Sequence, residues 1–348
     1  MIYTFKTYYK QILWGGQKIK LYKKGLFPPS EKESKLALDF NKPTTELEDN
    51  RDFNKPIGES WEISALPGFE SVVDYGPSIG ATLKELIESQ REKLVGENNY
   101  NRFGNEFPLL IKFIDAQKDL SVQVHPDDKW AVAHSYPSGK SEMWYVVHAE
   151  PDTTIYSGFN RTITHKELRE HIERESLLSV LAQHKLKAGD TFFLPAGRIH
   201  SIGAGALICE IQQSCDLTFR VYDFKRCDSN GNERKLHIDQ ALQVIDFNLP
   251  DNYRTLYKEK RNSPVALTQT PEFKTNLYHI DHTLNIDYSK LDSFVILVCI
   301  QGKGDILDNT GCLRRFSQGL TFLIPASTSQ IILKPLEESR FLEVFIDP

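Results

Sequence analysis

The stretch GDTFFLPAGRIH, residues 189–200, has the form of a short apolar strand framed by turn residues. A glycine opens it, an apolar run follows, and Pro195 starts a turn that leads to His200. Residues 319–330, GLTFLIPASTSQ, repeat this spacing further along the chain, with serine for the second glycine and Gln330 for the histidine. A glycine, a strand and a proline turn at one fixed spacing indicate a duplicated β unit.

The rest of the chain consists mostly of short strand-like runs separated by Gly, Pro and Asn. Two stretches instead have apolar residues at helical spacing, residues 82–94 and 164–183. Many short strands with few helices favour a sandwich or barrel. We therefore predict a mainly β protein of two tandem jelly-roll-like β-barrels, with a helical insertion in the N-terminal half. The first unit would span residues 1–255 and the second residues 256–348.

The composition excludes several classes of protein. With 348 residues, 40% hydrophobic and 26% charged, the chain is an ordinary globular protein with room for two domains. Its net charge of −5 offers no general attraction to nucleic acid or to an anionic membrane, and no apolar run approaches a membrane span. Five cysteines without a CxxC pair fit reduced thiols in the cytoplasm. Polar segments at 31–57 and 227–235 are typical of surface loops.

One predicted strand has an unusual polar face. In LSVQVHPDD, residues 120–128, Ser121, Gln123 and His125 point to one side and apolar residues to the other. An exposed strand face would be expected to carry Lys, Glu or Thr, whereas Gln-x-His presents an amide oxygen and an imidazole side by side. On spacing alone, an ordinary wet strand face remains the commoner explanation.

A second polar face follows downstream. The stretch CEIQQSCDLTFRVYDF, residues 209–224, alternates over most of its length, and we read it as one strand. Its polar face includes Glu210, Asp216 and Arg220. Since the opposite face is apolar and packs inward, the polar face must contact water or a wet cavity.

Four side chains could converge on a metal ion: Gln123, His125, Glu142 and His200. Two imidazoles, a carboxylate and an amide oxygen suit Zn²⁺ or another divalent first-row metal. The absence of thiolates leaves room for an open, substrate-binding position. Taken singly, each residue is more commonly a surface or salt-bridge residue, so the prediction depends on all four together.

The motifs carry a family resemblance. G-x5-P-x-G-x2-H resembles the second motif of the cupin superfamily, although Ala204 stands where many cupins have Asn. The first cupin motif usually has His-x-His, and here it is Gln-x-His. WGG, GESWE, PLLIKFIDAQKDLSVQVHPDD, GKSEMWYVV and LPAGRIHSIGAGALICEIQQSCDLTFRVYDF together resemble the type I mannose-6-phosphate isomerases, in their short bacterial form. The resemblance covers nearly the whole chain and implies cupin barrels, and Gln330 in place of the histidine of the repeat predicts that the second unit binds no metal.

The resemblance also implies an activity. Members of the family interconvert mannose 6-phosphate and fructose 6-phosphate through a cis-enediol, with one zinc per chain. The implied zinc ligands are Gln123, His125, Glu142 and His200. The implied catalytic residues are Lys140, Glu210, Asp216 and Arg220, and Ser121 and Lys112 match positions linked to phosphate binding.

Lys140 has two open interpretations, as the group that transfers the proton or as a rim lysine that binds substrate. Longer family members often carry His directly before this lysine, whereas this chain has Gly139, which puts any proton-shuttle role for that His in doubt. Two other functions remain as alternatives, a metal-dependent cupin oxygenase and a non-catalytic sugar-binding cupin. The predicted partner is a phosphorylated hexose, not nucleic acid or a membrane, and the protein would be a monomer or a homodimer.

Overall fold

The computed structural model describes residues 1–25, 55–227 and 231–347. The predicted loop at 31–57 lies outside these ranges except for its last three residues, and the middle of the loop at 227–235 is also outside them. The described residues form twenty strands, and four antiparallel sheets contain them all. The predicted mainly β fold is confirmed.

The largest sheet has six strands, each antiparallel to its neighbours. They are β1 (Tyr8–Lys10), β2 (Glu59–Ile63), β3 (Leu109–Asp115), β5 (Glu142–Ala149), β8 (Thr191–Leu194) and β10 (Ala206–Gln213). Their order across the sheet is β1-β2-β3-β10-β5-β8. Strands β3 and β5 are thus the two neighbours of β10 in the middle of this sheet.

A second sheet of five strands covers one face of the first. Its strands are β4 (Val122–Val124), β6 (Thr154–Phe159), β7 (Leu181–Lys185), β9 (His200–Ile202) and β11 (Phe219–Tyr222). Their order is β11-β4-β9-β6-β7. An apolar core between the sheets includes Ile114 and Phe192 from the first and Ile155 and Ile202 from the second. The two sheets therefore form a sandwich.

The C-terminal half contains another pair of sheets. The larger is built from β12 (Pro264–Gln269), β13 (Lys274–Ile280), β15 (Val295–Gln301), β18 (Thr321–Ile324) and β20 (Ser339–Phe345). The smaller is built from β14 (Leu284–Asp287), β16 (Lys303–Asp308), β17 (Leu313–Ser317) and β19 (Gln330–Pro335). Their orders are β12-β13-β20-β15-β18 and β14-β19-β16-β17. A separate apolar core fills the space between them.

The two halves share one strand order. The run β2-β3-β10-β5-β8 corresponds to β12-β13-β20-β15-β18, and β4-β9-β6-β7 corresponds to β14-β19-β16-β17. The register agrees as well, because Gln123 pairs with His200 across β4 and β9 while Asp287 pairs with Gln330 across β14 and β19. This repeated topology supports the duplication that the sequence motif indicates.

The sheets are open. Within the described residues, no sheet closes on itself by hydrogen bonding, so each half is a sandwich of two open sheets and the closed barrels that we predicted are not seen. The two large sheets share a further apolar core, to which β3 contributes Phe113, β13 contributes Leu277 and β20 contributes Leu342. This shared core joins the N-terminal and C-terminal halves.

The described helices are short, none longer than nine residues. They are α1 (Lys18–Lys23), α2 (Leu83–Gln90), α3 (Glu92–Val95), α4 (Glu97–Phe103), α5 (Asp128–Ala133), α6 (His165–Glu173) and α7 (Ile238–Val244), with a 3₁₀ turn at Leu177–Val180. In the part of the chain that the structure describes, no helix is both long enough and apolar enough to cross a membrane.

Both predicted helices are shorter than the sequence suggested. The helix predicted over 82–94 is divided into α2 and α3 at Arg91, whose positive φ of 50° is incompatible with a continuous helix. The helix predicted over 164–183 ends at Glu173, and the chain forms strand β7 from Leu181. Glu175, with φ 54°, lies directly after that helix end.

The stretch 209–224 is not one strand, and that prediction is wrong. It contains β10 in the large sheet and β11 in the second sheet, and residues 214–218 cross between them. A local turn ends β10, because the Gln212 amide donates to the carbonyls of Gln213 and Cys215. Residues of this stretch therefore approach one cavity from two different sheets.

Candidate metal centre and substrate cavity

Three buried side chains with metal-binding atoms meet between the two N-terminal sheets. His125 follows β4, Glu142 begins β5 and His200 begins β9. One ligand atom from each lies within 4.8 Å of the other two. Each of the three side chains is 1% exposed or less, so water reaches none of them freely. The sandwich brings the three together because β4 and β9 pair in one sheet while β5 faces them from the other.

Both imidazoles are held in one tautomer. The Nδ1 of His125 lies 2.8 Å from the carbonyl of Leu217, and the Nδ1 of His200 lies 2.8 Å from the carbonyl of Arg198. Since a carbonyl only accepts, each Nδ1 carries the proton. Burial lowers the pKa of His200 to about 3, and burial followed by the Lys140 charge holds the pKa of His125 well below its usual range. Both rings are therefore neutral at pH 7 and present an Nε2 lone pair.

These lone pairs face the carboxylate of Glu142 with no proton between them. His200 Nε2 lies 3.1 Å from Glu142 Oε1, and His125 Nε2 lies 3.6 Å from Oε2. Among the described residues, neither oxygen of Glu142 accepts a hydrogen bond. Buried acceptors this close repel one another unless positive charge lies among them, which Lys140 supplies beside His125 and Glu142 Oε2 and which a bound metal ion would supply to all three. Their chemistry fits a divalent first-row metal ion.

Gln123 contributes a fourth polar group. Its Nε2 lies 3.3 Å from His200 Nε2 and 3.5 Å from His125 Nε2. A half-turn of the amide would place Oε1, the atom able to bind a cation, at the same position. The structure thus brings together all four side chains that we predicted as metal ligands.

Lys140 lies against the same group. It is 3% exposed, and its Nζ lies 3.1 Å from Glu142 Oε2 and 3.2 Å from His125 Nε2. Gly139 precedes it and packs on the backbone of Asp127 and Asp128, where a Cβ would come within 2.4 Å of a carbonyl carbon. A side chain at position 139 would therefore require this backbone to move.

A cavity of about 420 Å³ opens beside this group, and of the four predicted ligands Gln123 lines it. Its charged lining consists of Lys10, Glu59, Lys112, Lys140, Glu210, Asp216, Arg220 and Arg234, and its uncharged polar lining includes Ser121 and Gln123. Cations outnumber carboxylates here although the whole chain is acidic, so the cavity suits an anionic ligand. A larger cavity, of about 580 Å³, lies between the two halves and is lined by none of the predicted site residues. All six predicted catalytic and substrate-binding residues line the smaller cavity.

Glu210 and Lys112 form a buried ion pair in the cavity wall. Lys112 Nζ lies 2.8 Å from Glu210 Oε1 and 3.9 Å from Glu59 Oε2. Burial alone would lower the pKa of Lys112, but the Glu210 and Glu59 carboxylates outweigh it and raise that pKa above its ordinary value. The other oxygen of Glu210 accepts a hydrogen bond of 2.6 Å from the indole of Trp144. The Glu210 carboxylate is therefore fixed on both sides.

Asp216 lies at the mouth of the cavity. Its side chain is 48% exposed, and Lys10 Nζ lies 3.3 Å from its Oδ2. Lys10 also sits over the Trp61 ring, 4.1 Å from the ring centroid. This exposed pair spans β1 and the crossing segment 214–218, so it marks where a ligand enters.

Two arginines line the other part of the cavity. Arg220 is paired with Gln123 across β11 and β4, and its Nη1 donates to the carbonyl of Lys235 at 2.9 Å. Burial and then the charge of Arg234 lower the pKa of Arg220 from its ordinary value. Arg234 pairs with Asp223, whose Oδ2 lies 3.4 Å from its Nε. An anion in the cavity would relieve the repulsion between the two guanidinium groups.

Sequence reasoning missed three residues of this site: Lys10, Trp144 and Arg234. Lys10 lies in an N-terminal segment without a clear period, and Arg234 lies in a segment read as a surface loop. Trp144 could have been found from the sequence, because it lies two residues from Glu142 and shares one face of that strand.

Comparison with known proteins identifies the family. Residues 4–136 match the phosphomannose isomerase type I catalytic domain. Mannose-6-phosphate isomerase ManA of Bacillus subtilis (strain 168) is 31% identical over 338 residues, which is 96% of each chain. A mannose-6-phosphate isomerase of Streptococcus mutans is 37% identical over 254 residues, 73% of this chain and 78% of that one.

Solved structures of mannose-6-phosphate isomerases have the same fold as this chain. The crystal structure of the mannose 6-phosphate isomerase from Bacillus subtilis superposes with a TM-score of 0.80 at 28% identity, covering 99% of both chains. Variants of phosphomannose isomerase from Salmonella typhimurium superpose with a TM-score of 0.76 at 15% identity, which shows a shared fold. This chain belongs to the type I mannose-6-phosphate isomerase family.

Proposed function

We propose that this protein interconverts mannose 6-phosphate and fructose 6-phosphate by moving a proton between C2 and C1 through a cis-enediol. The observation that carries the proposal is the buried group of His125, Glu142 and His200, which lies directly behind Gln123 and Lys140 in the wall of a cation-rich cavity. Family membership supplies the substrate, since the relatives are named as mannose-6-phosphate isomerases.

One zinc ion per chain is the proposed cofactor, with Gln123, His125, Glu142 and His200 as its ligands. The donor set fits, because it consists of two imidazole nitrogens, a buried carboxylate and an amide that can present oxygen. Zinc bound there would supply positive charge that stabilises negative charge on the sugar oxygens.

The chain's own residues would handle the proton. Lys140 reaches the cavity from beside the ligand group, and its amine would take the proton from one sugar carbon and return it to the other. Glu210, fixed by Lys112 and Trp144, would accept a hydrogen bond from a sugar hydroxyl. Asp216, at the mouth, would assist opening of the sugar ring.

The phosphate would bind at the basic part of the cavity. Arg220 would stabilise the enediolate or hold a hydroxyl, and the family resemblance implies Ser121 and Lys112 as phosphate contacts. Lys112 has part of its charge compensated by Glu210, so we add Arg234 as a phosphate contact. A dianionic phosphate beside two guanidinium groups forms strong, charge-assisted hydrogen bonds.

Replacing Arg234 with alanine should therefore weaken substrate binding more than turnover. We expect Arg234→Ala to raise KM for mannose 6-phosphate about tenfold or more while kcat changes less than about threefold. Arg226→Ala is the matched control, because Arg226 contacts the same Asp223 but does not line the cavity. Steady-state kinetics test this, and equal KM values for the two variants would contradict a phosphate contact at Arg234.

A coupled assay tests the function itself. Purified protein should convert mannose 6-phosphate to fructose 6-phosphate, lose activity with a chelator and regain it with about one equivalent of zinc per chain. Bound sugar phosphate without turnover would favour the sugar-binding alternative. Iron in the protein together with oxygen uptake would favour the oxygenase.

We further propose that both sheet pairs are cupin units, residues 1–255 forming the catalytic one and residues 256–348 a structural one without metal. The shared strand order supports this division. A cytoplasmic location is proposed because all five cysteines are free thiols. A monomer or a homodimer remains the prediction for the assembly.

A further inference from the structure

Trp144 contacts two residues of the predicted site, the metal ligand His200 and the carboxylate of Glu210. Its Nε1 donates to Glu210 Oε2 at 2.6 Å. Its ring meets the His200 imidazole edge to face, with centroids 5.3 Å apart and planes at 90°. Trp144 is 1% exposed and is not among the described residues that line the cavity. It therefore contacts both groups from behind the cavity wall.

We infer that Trp144 is a positioning residue: its N–H fixes the Glu210 carboxylate toward the substrate, and its ring fixes the plane of the His200 imidazole. The inference rests on the proposed isomerase function. It gives the indole two separable tasks, one exerted through the nitrogen and one through the ring.

The N–H task follows from the surroundings of Glu210. Lys112 approaches one carboxylate oxygen, but an ammonium on a flexible stem is a point charge and does not by itself define the carboxylate plane. The indole is rigid, buried and directly across the strand pair from Glu210. A short, charge-assisted hydrogen bond from such a donor restricts the carboxylate to one orientation.

The ring task follows from the surroundings of His200. Its Nδ1 proton goes to the Arg198 carbonyl, which fixes the tautomer but leaves rotation about that bond. The edge-to-face contact with Trp144 limits this rotation, because aromatic pairs prefer that geometry. Groups that orient a metal-binding histidine contribute to metal affinity without touching the metal.

The C-terminal repeat provides an internal contrast. Leu297 pairs with Glu343 and Phe322 there, as Trp144 pairs with Glu210 and Phe192. Glu343 is also buried, but it accepts its hydrogen bonds from Tyr288 and Asn276, each at 2.7 Å. A buried glutamate in this row of the sheet therefore does not require a tryptophan. The tryptophan occurs in the half that carries the candidate metal centre.

Trp144→Phe tests the N–H task, because it removes the donor and keeps an aromatic ring. We expect kcat to fall about tenfold with KM changed less than about twofold. The control is Trp130→Phe, which also removes an indole hydrogen bond, to Gln243, outside the cavity. The double variant Trp144→Phe/Glu210→Gln should be no slower than Glu210→Gln alone, because Trp144 acts through Glu210.

Trp144→Leu tests the ring task, because it installs the residue found in the repeat. Zinc affinity, measured with a competing chelator, should fall at least about tenfold in Trp144→Leu and stay within about threefold of wild type in Trp144→Phe.

Should Trp144→Phe fail to fold, a benzothienylalanine at this position removes the N–H and keeps the shape. Independent, multiplicative effects of Trp144→Phe and Glu210→Gln on kcat, or unchanged zinc affinity in Trp144→Leu, would overturn the inference. An inactive wild type would instead overturn the proposed function, and the zinc measurement would still decide the ring task.

Discussion

His200→Ala protein should purify folded, hold less than about a tenth of the wild-type zinc and isomerise mannose 6-phosphate at least about a thousandfold more slowly. The reason is the composition of the ligand group. Among the described residues, the group with ligand atoms within 4.8 Å of one another has three members, His125, Glu142 and His200, and the variant removes one of its two neutral imidazoles. Metal analysis of the purified protein and a coupled assay measure the two effects, and they should be lost together.

Gln330→Ala is the matched control for this result. Gln330 begins β19 in the C-terminal half, as His200 begins β9 in the N-terminal half. It contacts Asn285 and no group of the candidate metal centre. The variant should keep its zinc and its turnover. Full zinc occupancy in His200→Ala would refute the site assignment, and loss of turnover in a folded, zinc-loaded Gln330→Ala would refute a structural role for the second half.

The register of the strands explains why one half alone is expected to hold metal. Asp287 occupies the place of Gln123, because each pairs with the residue that follows the proline turn. Val295 occupies the place of Glu142, since it pairs with Ile324 as Glu142 pairs with Leu194. A valine cannot bind a cation. The described residues of the C-terminal half thus lack the carboxylate at this position as well as the histidine replaced by Gln330.

Site residues could be predicted from the sequence where a strand period or a fixed motif spacing identifies them. Alternation in β4 predicted that Gln123 and His125 share a face, and the proline-turn motif identified His200. Such local patterns remain valid in the folded protein, because a strand's period of two is a property of the backbone. The convergence of β4, β5 and β9 was not deducible from spacing and depended on the family resemblance.

The sequence was uninformative where long-range pairing overrides the local pattern. Residues 209–224 alternate almost without a break, yet the turn at Cys215 sends β10 and β11 into different sheets. Arg234 enters the cavity from a polar loop, and polar loops carry no periodic signal. Closure of a barrel depends on pairing between edge strands, which a single sequence does not encode locally.

Lys140→Met and Arg220→Ala should separate catalysis from sugar binding. We expect each to lower kcat for mannose 6-phosphate about a hundredfold or more while raising KM far less, because each would act on the transition state more than on the bound sugar. Methionine keeps much of the length of the lysine side chain without its amine, so the packing beside Glu142 is largely retained. Arg315→Ala provides a surface-charge control, since that side chain is 94% exposed.

Metal content distinguishes these two variants from His200→Ala. Lys140 Nζ lies 3.1 Å from Glu142 and 3.2 Å from His125, so its ammonium competes with a bound cation for the same lone pairs. Lys140→Met should therefore bind zinc at least as tightly as the wild type, and Arg220→Ala about as tightly.

If Lys140 carries the proton, the wild type should also place solvent deuterium at C1 of fructose 6-phosphate, in proportion to the exchange of its amine with water. A KM effect without a kcat effect in Lys140→Met would instead make Lys140 a substrate-binding residue, and near-normal kcat in both variants would place the catalytic groups elsewhere in the cavity.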